Sequence, residues 1–71
     1  MSKLDNFIEL DLDTQAIINY FHNSSRDEII KFCEDNNIFC KKYFFTNKMR
    51  KNITEQVNGI INTSRIVKRY T

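Results

Sequence analysis

The fold of this chain is decided by residues 20–45, which read YFHNSSRDEIIKFCEDNNIFCKKYFF. Seven of the nine aromatic residues of the 71-residue protein lie in this stretch. Because no other part of the chain has comparable apolar bulk, we expect these rings to form the core. The length allows one domain, residues 1–71, in which residues 7–45 form an aromatic helical core and residues 46–71 a C-terminal helix.

The composition favours helices over strands. The chain contains no proline and a single glycine, Gly59. Small sheet-rich folds need several tight turns, and such turns depend on glycine and proline. We therefore predict an all-α fold, a small bundle of three to four helices whose last helix is long, amphipathic and basic.

The first dozen residues carry a different pattern. Apolar and polar residues alternate from Ile8 to Asp13, which is typical of a strand, but a single strand would have no partner. We therefore predict an extended segment or a single turn that lays Phe7, Leu10 and Leu12 on the helices.

Two short helices are predicted next. The first spans about residues 13–22 and is capped by Asp13 or Thr14. The second begins with a capping box, in which Ser25 and Glu28 satisfy backbone donors reciprocally. The residues predicted to be buried on these helices are Ile17, Ile18, Phe21, Ile29, Ile30, Phe32 and Cys33.

The second half of the chain holds a predicted short helix and a long one. Asn36 and Asn37 favour a helix end, and residues 38–45 are too apolar for a solvated loop, so they are predicted to be helical. The last helix is predicted over residues 47–69, with a kink or break left open near residues 59–63. Its apolar stripe is Met49, Ile53, Val57, Ile60, Ser64 and Val67.

Charge divides the chain into two unlike halves. Residues 1–40 carry eight acidic and three basic residues, a net charge of −5, whereas residues 41–71 carry one acidic and eight basic residues, a net charge of +7. Such asymmetry indicates that one half meets an anionic surface. Attraction between the two halves, together with solubility, explains it equally well.

Residues that carry chemistry are few. Cys33, Cys40 and His22 are the soft metal ligands, but the cysteines are seven residues apart, unlike the close spacing of zinc sites. Nothing orients His22 toward Cys40 as a catalytic pair would require, and one glycine excludes phosphate-binding loops. We predict no enzymatic activity, no cofactor, no metal and no small-molecule substrate.

The chain carries no sign of export or membrane insertion. Two cysteines are too few for a secreted disulfide scaffold, no apolar run approaches the length of a membrane span, and the N-terminus lacks the order of a signal peptide. We predict a soluble intracellular protein of the cytoplasm or nucleus. Abundant isoleucine and asparagine suit an AT-rich coding sequence, as in many phages, viruses and parasites. If the protein is viral, its predicted location is the host cell.

A second pattern covers residues 10–45, about half of the chain. It consists of Leu10, Leu12, Asp13 and Thr14, then Ile29, Ile30, Phe32 and Cys33, then Asn37, Phe39, Cys40 and Phe44. This order resembles the F-box, especially the divergent F-box-like segments of large DNA viruses. The resemblance implies that Leu10, Leu12, Ile17 and Ile29 dock on the Skp-type adaptor of a cullin ubiquitin ligase.

The leading hypothesis for function is a non-catalytic helical module, of the adaptor or inhibitor type, that binds another protein or a second copy of itself. Its candidate contacts are Leu10, Leu12, Ile17, Ile29, Ile53, Val57 and Ile60. The alternative is a small helix-turn-helix-like protein that binds DNA or RNA through its basic half. The candidate contacts for nucleic acid, or for another anionic partner, are Lys48, Arg50, Lys51, Arg65, Lys68 and Arg69.

Overall fold

The computed structural model describes residues 3–69 of the chain. Within that range the chain forms four helices and no strand: α1 (Lys3–Leu10), α2 (Thr14–His22), α3 (Arg26–Asp35) and α4 (Thr46–Arg69). The predicted all-α bundle with a long last helix is confirmed. Helix α4 contacts each of the other three, so it is the element that unites the bundle.

Helix α1 corrects the prediction for the first dozen residues. Leu4 and Phe7 are buried and Ile8 is partly buried against the core, at the spacing of one helical face. This helical spacing describes the structure of the segment, although the apolar–polar alternation from Ile8 onward is typical of a strand. Helix α1 ends where Asp11 takes a left-handed backbone conformation, with φ of 53°, which leaves Leu10 exposed.

Helices α2 and α3 begin as predicted. Asp13 caps α2 by accepting a hydrogen bond from the backbone N–H of Ala16 at 2.8 Å. The reciprocal capping box of Ser25 and Glu28 is present at the start of α3. At its other end, Asn36 is the cap of α3 and Asn37 has a φ of 55°, which asparagine tolerates better than most residues.

Residues 38–45 form a loop, so the predicted short helix is wrong. Its local backbone bond runs from the N–H of Phe44 to the carbonyl of Lys41, a turn rather than a helix. Half of the apolar side chains point inward, and these are Ile38, Cys40 and Phe44. The others, Phe39, Tyr43 and Phe45, are exposed.

The aromatic core therefore contains fewer buried rings than the sequence predicts, and one of them, Phe7, comes from α1. Phe7, Phe21 and Phe32 are buried together, with ring centroids of Phe21 and Phe32 5.2 Å apart in an edge-to-face arrangement. Phe7 stacks on Phe32 at 5.9 Å, and Tyr20 covers the edge of Phe7 at 4.9 Å. Ile18, predicted to be buried, is 41% exposed.

Helix α4 lies antiparallel to α2. Its early residue Arg50 binds the carbonyl of Ser24, just after α2, whereas its late residue Arg65 binds the carbonyl of Leu12, just before α2. The helix is continuous through Gly59. Within the described range, none of the helices is long and apolar enough to cross a membrane.

The buried row of α4 departs from the predicted stripe in its second half. Met49, Ile53 and Val57 are buried as predicted, but the next buried residue is Ile61 and not Ile60. Residues four apart lie on a ridge that runs obliquely around a helix, and such ridges fit a neighbour that crosses at an angle. The contact therefore rotates around α4 along its length.

Candidate interaction surfaces

Most of the predicted protein contacts belong to the core. Ile17, Ile29, Ile53 and Val57 are each no more than 1% exposed, so in the folded chain they stabilise the bundle and cannot reach a partner. Leu12 and Ile60 are partly buried at the edge of the core. Leu10 is 63% exposed and remains available for contact.

Two of the predicted nucleic-acid contacts hold the bundle together. The guanidinium of Arg50 donates to the Ser24 carbonyl at 2.9 Å. That of Arg65 donates to the Asp11 carboxylate at 2.5 Å and to the Leu12 carbonyl at 2.9 Å. Both arginines thus tie α4 to the ends of α2, a structural role that the sequence analysis did not assign to them.

The lysines of α4 are the other predicted contacts for nucleic acid. Lys51 and Lys68 are exposed, and Lys48 places its ammonium 4.4 Å from the centroid of the Phe44 ring. The side chain of Arg69 lies outside the described part of the structure. The described basic side chains therefore do not form one stripe along α4, since Arg50 and Arg65 bind carbonyls at the ends of α2 and Lys48 turns toward the preceding loop.

Cys33 and Cys40 come together although they are seven residues apart. Burial raises the pKa of the Cys33 thiol to about 12, and the adjacent Cys40 and Glu34 add to the shift. A thiol with that pKa is protonated at neutral pH and is a poor nucleophile. His22 is exposed at the end of α2, and residues 3–69 contain no cluster of three or more metal-ligating side chains.

One face of α4 is left outside the core by the rotation of the buried row; we call it the α4 groove face. It comprises Gln56, Gly59, Ile60, Thr63 and Val67. The first four line a shallow groove, and a Cβ added at Gly59 would meet nothing within 4 Å. Val67 lies 18 residues, about five helical turns, after Met49 and therefore points in the same direction. Met49 is 2% exposed whereas Val67 is 56% exposed. The difference arises because the buried row rotates around α4 and no longer includes this direction at Val67.

The second surface is the aromatic loop, residues 38–45. Phe39, Tyr43 and Phe45 are 72%, 79% and 88% exposed. Exposed rings so close together mark an interaction site more often than scattered apolar residues do. The sequence prediction missed them because it assigned every ring of this stretch to the core.

Side chains from α3 and α4 hold the backbone of the aromatic loop in place. Arg26 donates to the carbonyl of Phe44 at 2.6 Å and also to that of Lys42. Gln56 donates to the carbonyl of Phe39 at 3.1 Å. The exposed rings therefore project from a fixed backbone. The signal that could have located this surface is the grouping of Lys41, Lys42 and Lys48 among the rings from residue 39 onward.

Comparison with known proteins identifies no relative of this chain. No protein-family model matches the chain, and neither a curated protein nor a solved structure matches it.

Proposed function

We propose that this protein is a non-catalytic helical module that acts by binding another protein, and that the α4 groove face receives a helix of the partner. The observation that carries the proposal is the groove at Gly59, beside an apolar edge that the bundle leaves exposed. A helix lacking a side chain at one position allows a second helix to approach closely. Apolar side chains on the same face then provide the buried area.

The chemistry of this face suits the uncharged side of a partner helix more than a charged surface. Gln56, Gly59, Ile60, Thr63 and Val67 carry no formal charge. Ile66 extends the edge and is 56% exposed. Charged residues are depleted at the centres of protein interfaces, and a face without charge is consistent with that role.

The F-box-like docking mode receives less support from the geometry. Two of its four implied contact residues, Ile17 and Ile29, are buried beneath the bundle surface. Leu10 and Leu12 remain near the surface at the turn between α1 and α2. Binding through the α4 groove face does not require the core residues to move, so we prefer it.

Position-specific photo-crosslinking tests the proposal. A photoreactive residue at Thr63, on the groove face, is expected to capture a defined protein in the native host, or a second copy of the chain. The matched control is Asp27, an exposed residue at the start of α3, where no capture of that protein is expected. Equal capture at both positions would contradict the proposal.

Filling the groove gives a second, quantitative test. Gly59→Trp places a large ring where the partner helix would lie, and we expect it to weaken binding of the captured partner at least about tenfold. Asp27→Trp is the matched control, because it places the same ring at an exposed position of α3 away from the groove. If Gly59→Trp bound as tightly as the wild type while remaining folded, the groove would not be the contact.

A further inference from the structure

We propose that the aromatic loop is a binding site for single-stranded nucleic acid, with unpaired bases stacking on its exposed rings. This surface adjoins the α4 groove face, since Gln56 lines the groove and also donates to the Phe39 carbonyl, but the proposal does not depend on the function proposed for that face. The site also differs from the basic helix face suggested by the sequence, because the rings rather than the arginines of α4 are its centre.

The rings are the first observation. Phe39, Tyr43 and Phe45 lie within seven residues, and each exposes more than two thirds of its surface. Every nucleobase has a flat π face, so exposed aromatic rings bind unpaired bases with little regard to sequence. In duplex nucleic acid those faces are already stacked on one another, which restricts the proposed ligand to single strands.

The fixed backbone is the second observation. The carbonyls of Phe39, Lys42 and Phe44 each accept a hydrogen bond from a side chain of another element. The partly buried side chains of Ile38 and Cys40 anchor the loop from beneath. A loop held in this way loses little conformational freedom when it binds, so more of the stacking energy appears as affinity.

The charge beside the rings is the third observation. Residues 39–51 contain five basic residues and no acidic one. The ammonium groups of Lys41 and Lys48 lie 5.2 and 4.4 Å from the centroid of the Phe44 ring. Lys42 is exposed, with its ammonium 3.7 Å from the Glu34 carboxylate. Lysines and rings on one surface complement a strand that carries phosphates and bases in alternation.

The same observations disfavour a protein as the ligand of this loop. Aromatic residues are enriched in protein interfaces, but lysine is depleted there. The aromatic loop and the first turn of α4 present as many lysines as exposed rings, namely Lys41, Lys42, Lys48 and Phe39, Tyr43, Phe45. Single-stranded nucleic acid uses both kinds of side chain, so it is the ligand we assign.

Fluorescence anisotropy with the full chain and a labelled oligothymidylate of about 12 nucleotides tests the assignment. Affinity is expected to fall with salt, with a log–log slope of about −0.7 per phosphate neutralised. Tyr43→Ala and Phe45→Ala should each weaken binding about tenfold. The matched control Ile18→Ala removes an exposed apolar side chain of α2 and should leave affinity unchanged.

A tryptophan probe supports the test independently of the alanine variants. The chain contains no tryptophan, so Tyr43→Trp introduces a single reporter that retains an aromatic face. Its fluorescence should be quenched as bases stack on it. Circular dichroism melting of every variant checks that the bundle remains folded; if an alanine variant unfolds, the tryptophan signal decides the question.

Three results would overturn the proposal. The first is an absence of oligonucleotide binding at low salt. The second is binding that survives loss of the rings and leaves the tryptophan signal unchanged, because charge alone would then explain it. The third is binding to vesicles rich in phosphatidylserine but not to the oligonucleotide, which would assign the rings to a membrane surface.

Discussion

Replacing each of two neighbouring isoleucines by alanine tests how α4 packs on the bundle. Ile61 is 2% exposed and belongs to the core, whereas Ile60 is only partly buried at its edge. The sequence pattern alone predicts the opposite order, with Ile60 in the buried stripe. Ile61→Ala should therefore destabilise the fold much more than Ile60→Ala.

The expected difference follows from the buried atoms. Ile61→Ala removes three buried carbon groups, worth about 0.8 kcal/mol each, and the cavity left behind brings the loss to about 3–4 kcal/mol. Ile60→Ala removes the same groups from a partly buried site at the edge of the core and should cost about 1 kcal/mol. Both variants gain the same helix propensity from alanine, so that contribution cancels in the comparison.

Urea denaturation followed by circular dichroism measures both losses. A domain of this size has a free energy of unfolding of roughly 4–10 kcal/mol, so Ile61→Ala should remove a large share of it. The denaturation midpoint should fall while the slope stays constant, which shows that stability changed and not the unfolded state. Equal losses, or a larger loss for Ile60→Ala, would refute the rotation of the buried row around α4.

Two further predictions concern a helix position and a buried thiol. Gly59→Ala should raise the free energy of unfolding by about 1 kcal/mol, because the added methyl group meets nothing within 4 Å and alanine favours the helix; a lowered melting temperature would show that the position is in contact. Burial raises the pKa of Cys33 from its ordinary value of 9.0 to about 12. Its contribution to stability is therefore complete below pH 9 and is lost between pH 9 and 12, as the unfolded thiol ionises first, by up to about 1.4 kcal/mol per pH unit. Alkaline denaturation of the wild type and of Cys33→Ala should show this difference, and parallel curves would contradict the burial of the thiol.

The parts of the fold that depend on neighbouring residues were predicted correctly. The cap at Asp13, the capping box at Ser25 and the end of α3 at Asn36 all form from side chains within four residues of the backbone groups they bind. Such interactions are readable in sequence because chain proximity alone brings the groups together.

The first helix and the aromatic loop show where local patterns mislead. In α1, Leu4, Phe7 and Ile8 meet the core on one helical face, but the alternation that follows obscured that spacing. In the aromatic loop, hydrophobicity suggested burial for every ring. Whether a ring is covered depends on the elements around it, and nothing in the bundle covers Phe39, Tyr43 or Phe45.

The amino-acid sequence by itself determined the helical class, the caps and the extent of α4, because these follow from backbone propensities and contacts between near neighbours. Only the tertiary structure decided which face of α4 is buried, which basic side chains are occupied and which rings remain exposed. Arg50 and Arg65 bind carbonyls 26 and 53 residues away. Those pairings, like the rotation of the α4 contact, follow from the angle at which the helices cross, a property of the assembled bundle and not of any one segment.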